Sequence, residues 1–226
     1  MSDDPSTYLE PGPTVESGHP DIVAFAQRVA GGAGTQMEKA IGLYYAVRDE
    51  IRYNPYISAI EVEAFRATKT LAEKQGYCVA KAILLAAACR AQGVPARLGF
   101  ADVRNHLSTE KMRQRMKTDL FYWHGYTAIY LDGKWVKATP AFNIELCEKF
   151  GLKPLEFDGR EDSIYHPIDV SGSRHMEYLN YRGEFAEPPL AQIHETFIRE
   201  YPHWRDRTAE PIGDFEAEVA AETGTP

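Results

Sequence analysis

The chain has 226 residues, a length that fits one large domain or one domain with extensions. Its composition, 44% hydrophobic and 26% charged, is typical of a globular protein. Its net charge of −8 lies at the two ends, because residues 1–20 and 208–226 contain four and five acidic side chains and no lysine or arginine. Residues 21–207 are therefore nearly neutral, which excludes an electrostatic argument for nucleic acid as a partner.

Membrane insertion, secretion and metal binding are not expected either. No stretch reaches the roughly 18 consecutive apolar residues of a membrane span, and the N-terminus lacks the basic start and apolar core of a secretory signal. The three cysteines form no CxxC pair and predict free thiols in a reducing, cytoplasmic compartment. Without metal-ligand spacing or a calcium-loop pattern, the chain is expected to need no cofactor.

The first elements in chain order are an arm and two helices. Four prolines in residues 1–20 predict an extended, poorly ordered acidic arm. Residues 21–32 follow a proline and end in Gly-Gly, and residues 35–53 repeat apolar side chains at three- and four-residue steps, so both are predicted to be helices. Residues 57–65 fit a short strand or an irregular segment, and residues 67–74 fit a helical turn.

A helix predicted at residues 78–92 is apolar or small on almost every side, which is typical of a buried helix. Its first turn then projects from the middle of the core and begins with Cys78. Backbone N–H groups without helical partners and the positive end of the helix dipole both favour the thiolate of such a cysteine, and the thiolate is the nucleophilic form. Gly76 allows a tight turn before the helix and leaves room for a substrate.

The other two cysteines are interpreted as structural. Cys89 lies eleven residues after Cys78, about 16 Å along the helix axis at about 1.5 Å per residue. This separation excludes a disulfide between the two within an intact helix. Cys147 lies in a short apolar segment and is expected to be a core residue as well.

The remaining elements are predicted with decreasing strength along the chain. Residues 96–103 fit a partly buried strand, and Asp132-Gly133 is a strong hairpin signal between two further strands. The polar segment 104–120 fits a solvated helix, with a lid over the active site as the alternative. A short helix ends at Gly151, and another helix is predicted at 190–204.

The predicted domain organisation has four parts. Residues 1–20 are the acidic arm and residues 21–150 the catalytic core. Residues 151–207 form a C-terminal extension of loops and short strands packed on the core, and residues 208–226 form an acidic tail.

A thiolate needs a base, and His124 is the strongest candidate among seven histidines. It lies next to Gly125 at the start of the first hairpin strand, where an imidazole can exchange a proton with a thiol on a neighbouring helix. The histidines interpreted as ordinary surface or core residues are His106, His166, His175, His194 and His203. A metal site formed by His106, Cys78 and His124 lacks any HxH, HExxH or CxxC spacing.

Residues 76–103 and 124–142 are similar to the core of the transglutaminase-like superfamily. In that family a Gly-x-Cys opens the central helix, an Arg-x-x-Gly-(Val/Ile)-Pro-x-Arg pattern ends it, a histidine begins a strand, and a Gly-x-Trp hairpin follows. The matching residues in order are Gly76, Cys78, Arg90, Gly93, Val94, Pro95, Arg97, His124, Gly133 and Trp135. The resemblance covers about residues 40–145. It implies an α+β papain-like cysteine proteinase fold, with the central N-terminal-Cys helix packed on an antiparallel sheet, and Cys78 and His124 as the catalytic pair.

One position departs from the family pattern. The family usually has an aspartate in a motif like Trp-Val-x-x-Asp-Pro, whereas this chain reads "WVKATP" with Thr139 in its place. A threonine hydroxyl can accept the imidazole N–H of His124 but has no charge to stabilise an imidazolium. Asn143, four residues on, is the alternative orienting residue.

The sequence and the resemblance together predict acyl transfer at an amide of a peptide or protein substrate. Cys78 attacks the carbonyl, His124 moves the proton, and the Cys78 N–H stabilises the oxyanion with a second donor from Gln75 or Tyr77. Water as the acceptor gives hydrolysis, which the resemblance favours for a compact member, and an amine gives transamidation. The alternative from another class is a binding module that keeps this fold without catalysis.

Overall fold

The computed structural model describes residues 4–56, 60–105, 109–164, 176–201 and 213–224. Within these ranges the strands are β1 (Arg52–Tyr53), β2 (Gln75–Gly76), β3 (Ala96–Asn105), β4 (Leu120–Leu131), β5 (Lys134–Ala138) and β6 (Met176–Phe185). The helices are α1 (Pro20–Ala30), α2 (Gln36–Glu50), α3 (Val62–Phe65), α4 (Ala67–Glu73), α5 (Cys78–Ala91), α6 (Glu110–Met116), α7 (Ile144–Phe150), α8 (Leu190–Glu200) and α9 (Phe215–Thr223).

A four-stranded antiparallel sheet in the order β5-β4-β3-β6 forms one layer of the molecule. The predicted hairpin between β4 and β5 is confirmed. Its turn residues Asp132 and Gly133 have φ angles of 48° and 84°, the left-handed conformation that two-residue hairpins favour. β6 joins the opposite edge beside β3, where the sequence indicated only loops and short strands. β1 and β2 form a separate, two-residue parallel pair.

The predicted buried helix is confirmed as α5, whose side chains from Cys78 to Arg90 are all buried. It packs on β4, where the Thr127 hydroxyl donates to the carbonyl of Ala82 over 2.9 Å. The helix also contains the fully buried Lys81, whose ammonium group donates to the carbonyls of Arg48 and Ile51 at the end of α2. Burial lowers the pKa of Lys81 to about 7.

The helices before α5 cover the side of α5 away from the sheet. α2 begins with a capping box, in which the Thr35 hydroxyl accepts the Glu38 N–H and the Glu38 carboxylate accepts the Thr35 N–H. The strand considered for 57–65 is not found in its described part, because residues 62–65 form the single turn of α3, while residues 57–59 lie outside the described residues. The predicted helical turn at 67–74 is confirmed as α4.

The expectation of a poorly ordered arm is wrong for residues 4–19. Residues 5–9 form a 3-10 helix, and the side chains of Tyr8 and Val15 are buried in the core. The Glu187 carboxylate, just after β6, accepts the N–H groups of Thr14 and Val15. The described part of the arm is therefore packed into the fold, although its prolines predicted an extended segment.

The guanidinium of Arg90 joins three distant parts of the chain at the end of α5. Its Nε donates to the carbonyl of Ala96, its Nη1 to that of Glu10 and its Nη2 to that of Ala186, over 2.7 to 2.8 Å. The arm, the start of β3 and the end of β6 thus meet at one buried cation.

The predicted acidic tail contains a helix in its described part. Residues 215–223 form α9, which packs on α7 and buries Phe215 and Val219. Two of its carboxylates form ion pairs. Oε1 of Glu216 lies 3.1 Å from Nζ of Lys149, and Oε1 of Glu218 lies 2.7 Å from Nζ of Lys111 in α6. The helix predicted near the C-terminus is confirmed as α8. None of the helices in the described ranges has both the length and the apolar character that crossing a membrane requires.

Candidate active site

Cys78 is the first residue of α5 and is only 8% exposed. The backbone amides of Val79 and of Cys78 itself, at the free end of the helix, lower the pKa of the thiol. The backbone amide of Gly125 in β4 acts in the same direction from the sheet. Amides from two different elements therefore favour the thiolate of this cysteine.

The pKa of Cys78 is raised and not lowered, contrary to the expectation from its place at a helix N-terminus. Burial raises the pKa to about 11, and the three backbone amides oppose this shift without cancelling it. The resting group is therefore a neutral thiol at neutral pH. The sequence predicts the helix end correctly, but the desolvation depends on the surrounding core.

The other cysteines lack this arrangement. All three are free and buried, and burial raises the pKa of Cys89 and of Cys147 to about 12. For Cys89 the only opposing influence is the charge of Arg90. Their surroundings agree with the interpretation of both as core residues.

His124 lies in β4 opposite Ala101 of β3 and is 6% exposed. Its ring meets the ring of Tyr178 edge-on, with centroids 5.9 Å apart. Because the next residue, Gly125, packs against Val79 at the start of α5, the backbone of His124 lies one residue away from the contact between α5 and β4.

Gly125 allows this contact to be so close. A Cβ atom at this position would lie 2.8 Å from the Cα of Val79 and 3.0 Å from its Cγ2. Real Cβ atoms do not approach backbone atoms to that distance, so any larger residue would push β4 away from the start of α5.

The two candidate orienting residues differ in their hydrogen bonds. Thr139 directly follows β5, is buried, and its hydroxyl has no hydrogen-bond partner among the residues that the structure describes. The side chain of Asn143 is engaged elsewhere, because it accepts the Tyr53 N–H over 3.0 Å and donates to Glu145 over 2.8 Å. Thr139 is therefore the better placed of the two to accept a further hydrogen bond.

Three tyrosines lie near the thiol, and the sequence analysis considered only Tyr77 among them, as an oxyanion donor. Burial raises the pKa of Tyr53, Tyr77 and Tyr201 above its usual value, and the neighbouring Cys78 acts in the same direction on each. Tyr201, at the end of α8, accepts the Tyr122 N–H over 2.9 Å and donates to the carbonyl of Leu120 over 3.1 Å. No sequence signal linked this C-terminal residue to the site, because the contact depends on the docking of α8.

The two oxyanion donors considered differ in their hydrogen bonds. The Tyr77 hydroxyl is buried and has no hydrogen-bond partner within the described ranges. The side-chain oxygen of Gln75 accepts a hydrogen bond from the Asn54 amide at 3.3 Å, and its side-chain nitrogen is the group that would donate to an oxyanion.

Only some of the remaining candidates fall within the described residues. His194 is exposed on α8, and His106, His166, His175 and His203 lie outside the described residues. In the described part of the chain no three metal-binding side chains come together. α6, in the segment considered as a lid, is hydrogen-bonded to α9 through Lys111 and Glu218.

Comparison with known proteins shows the family to which this chain belongs. The sequence model of the transglutaminase-like superfamily matches residues 23–140, more than half of the chain. The predicted α+β papain-like fold, with its N-terminal-Cys helix on an antiparallel sheet, is confirmed. The chain belongs to the transglutaminase-like superfamily, and this membership supports a cysteine-based hydrolase or acyltransferase in general terms.

Two solved structures are similar at low identity. A candidate cysteine protease from Cytophaga hutchinsonii is 16% identical over 81% of this chain and 55% of its own, with a TM-score of 0.49. A candidate protease from Parabacteroides distasonis ATCC 8503 is 17% identical over 52% of this chain and 22% of its own, with a TM-score of 0.38. The chain thus spans about half of the first and about a fifth of the second. Among curated proteins, no sequence matches significantly.

Proposed function

We propose that the protein catalyses cysteine-dependent acyl transfer at an amide bond of a peptide or protein, with water as the usual acceptor. One observation carries the proposal. The backbone amides of Cys78, Val79 and Gly125 all lower the pKa of the buried Cys78 thiol, and Gly125 directly follows His124. For Cys89, buried in the same helix, the influence that opposes burial is the charge of Arg90 instead.

The raised pKa of Cys78 favours general-base catalysis over a preformed thiolate–imidazolium pair. His124 accepts the thiol proton while the sulfur attacks the substrate carbonyl, so the charged thiolate never has to exist alone in a dry site. Such a proton transfer typically contributes about a hundredfold to ten-thousandfold to the rate.

The oxyanion formed by this attack is stabilised by the Cys78 N–H and by the buried Tyr77 hydroxyl. His124 then returns its proton to the leaving amine, the C–N bond breaks, and a thioester on Cys78 remains. A water molecule, deprotonated by His124, hydrolyses the thioester and regenerates the thiol. The Thr139 position offers a hydroxyl without a charge, so this enzyme is expected to be slower than one with an aspartate there.

Two alternative functions can be distinguished from the proposal by the same experiment. A non-catalytic binding module is supported by Thr139 and by the raised pKa of Cys78. Transamidation shares the thioester and differs only in the acceptor. The first alternative predicts no acyl-enzyme, and the second predicts faster turnover when a primary amine is added.

The test measures acylation of Cys78 by p-nitrophenyl acetate, located by mass spectrometry, in the parent and in His124→Ala and Cys89→Ala. Peptide mixtures are then screened for cleavage. We expect an acetyl group on Cys78, slowed at least about a hundredfold in His124→Ala and unchanged in Cys89→Ala. Equal acylation of Cys78 in the parent and in His124→Ala, or none in either, would support the binding module instead.

A further inference from the structure

The strand that carries His124 is irregular at the residue before it. Trp123 has a φ of 61°, a left-handed conformation that a bulky side chain rarely adopts. The pairing of β3 with β4 shifts at the same place, because Ala101 pairs with His124 while Val103 pairs with Phe121. Two residues of β4 therefore oppose Asp102 alone. Such a bulge re-aims the side chains that follow it, and here the next side chain is His124.

Asp102 holds this bulge from the neighbouring strand. It is 7% exposed, and its Oδ1 accepts the N–H of Trp123 over 3.2 Å. The same oxygen accepts the Nε of Arg182 over 2.5 Å, and Oδ2 accepts the side-chain amide of Asn180 over 3.3 Å. A bulky residue in the left-handed conformation is strained and persists only where its surroundings fix it.

Arg182 holds the side chain of the same residue. Its guanidinium lies 4.7 Å from the centre of the Trp123 ring, so the Asp102–Arg182 pair contacts both the backbone and the indole of Trp123. The position that the family motif gives to a charged orienting residue carries Thr139, directly after β5. The buried carboxylate beside His124 is on β3, the other neighbour of β4.

We infer that Asp102, clamped by Arg182, is a positioning residue that sets the Trp123 bulge and thereby aims His124 at Cys78. It replaces by backbone geometry the orientation that Thr139 can give only weakly. This inference rests on the proposed role of His124. Asp102 acts through Trp123 and is not itself a catalytic residue.

The test is a double-mutant cycle on the rate of Cys78 acylation by p-nitrophenyl acetate. The main variant combines Asp102→Leu with Arg182→Met, which removes both charges together and leaves no buried ion unpaired. Asp102→Asn is the rescue variant, because its amide oxygen still accepts the Trp123 N–H. The matched control is Asp119→Leu with Arg104→Met, an exposed pair 3.0 Å apart in which Arg104 lies on β3 and Asp119 directly precedes β4. Each is made in the parent background and in the His124→Ala background.

We expect the main variant to lose about tenfold to a hundredfold of the rate in the parent background, since small misplacements of a catalytic group cost this much. It should lose less than about twofold in the His124→Ala background, because no imidazole is left to misplace. The rescue variant should keep most of the rate, and the control all of it. Asp102→Ser, too short to reach the Trp123 N–H, replaces the main variant if thermal unfolding shows that the pair is needed to fold.

Two outcomes overturn the inference, and they differ from each other. Equal losses in the two backgrounds would mean that Asp102 only supports the fold. A full rate in the main variant with His124 present would mean that the bulge needs no clamp. If instead His124→Ala by itself leaves the rate unchanged, the proposed function has failed and the inference falls with it.

Discussion

The two cysteines of α5 occupy the same buried helix, and only their surroundings separate them. Burial raises the pKa of both thiols, to about 11 for Cys78 and about 12 for Cys89. At Cys78 three backbone amides, one of them from β4, oppose that shift, whereas Cys89 has only the charge of Arg90. An apolar environment alone makes a cysteine inert. Reactivity has to come from the helix end and from the strand that meets it.

The largest expected effect is the difference in acylation rate between variants of the two cysteines. Cys78→Ala should lower acylation by p-nitrophenyl acetate at least about a thousandfold, because the nucleophile is gone. Cys89→Ala should keep the rate and lower the free energy of unfolding by about 1 kcal/mol through the small cavity that it leaves. Stopped-flow kinetics and urea unfolding measure the two effects. A comparable loss of rate in Cys89→Ala would show that the two sulfurs are not distinct in function.

Gly125→Ala tests whether the approach of β4 distinguishes the two ends of α5. The added Cβ would meet the Cα of Val79 at 2.8 Å, so the Gly125 N–H should move away from the sulfur. We expect the acylation rate to fall about tenfold to a hundredfold and the free energy of unfolding to fall by about 1–3 kcal/mol. Gly32→Ala is the matched control, because its Cβ would meet nothing within 4 Å. Unchanged kinetics in Gly125→Ala would mean that the amide contributes nothing to the site.

The titration of Lys81 tests whether water is excluded from the first turn of α5 as it is from the region of Cys89. Its folded-state pKa of about 7 lies below the unfolded value of about 10.4, so between these pH values the unfolded chain binds more protons. Stability from this group therefore increases with pH, by up to about 1.4 kcal/mol per pH unit, and is lost as the pH falls through 7.

Lys81→Met removes the titrating group while keeping much of its volume. We expect the difference in free energy of unfolding between the parent and this variant to grow in favour of the parent from pH 7 to pH 9. Urea unfolding at several pH values measures it, and the other groups cancel in the difference. If the difference in free energy of unfolding does not change with pH, water reaches the Lys81 ammonium group. Water would then be excluded from α5 only near Cys89.

The smallest expected effect concerns Thr139. Thr139→Val removes a buried hydroxyl that has no hydrogen-bond partner within the described residues, so the free energy of unfolding should rise by up to about 1 kcal/mol. The acylation rate should fall by no more than about fivefold, because Asp102 supplies most of the orientation of His124. A loss near a hundredfold would return the orienting role to Thr139. Thr139→Ser, which keeps the hydroxyl, is the control.

Local patterns predicted the parts of this fold that local physics determines. The apolar run after Cys78 predicts α5, and Asp132-Gly133 predicts the hairpin, because a buried helix and a tight turn each need particular residues in sequence. The same reasoning found Cys78 and His124 as candidates. Cys78 begins α5, and His124 directly precedes the residue of β4 that packs against the start of that helix. Their catalytic roles remain predictions.

The errors share a cause, which is dependence on contacts distant in sequence. The arm is ordered because Tyr8 and Val15 find places in a core built elsewhere. The thiol of Cys78 is neutral because that core removes water from it, and a helix end by itself does not reveal this. Asp102 did carry a signal, since a single acidic residue within an apolar strand requires a buried partner. The partner, Arg182, lies 80 residues away.

Arg90 gives the chain a thermodynamic unity that its sequence does not suggest. One guanidinium holds the carbonyls of Glu10, Ala96 and Ala186, so neither terminal region can detach without leaving a buried cation short of acceptors. The segment matched by the family is therefore not a separable unit, and the flanking regions should unfold in the same cooperative transition. Slow amide hydrogen exchange of Val15 and Phe185 would then report on the integrity of the whole molecule.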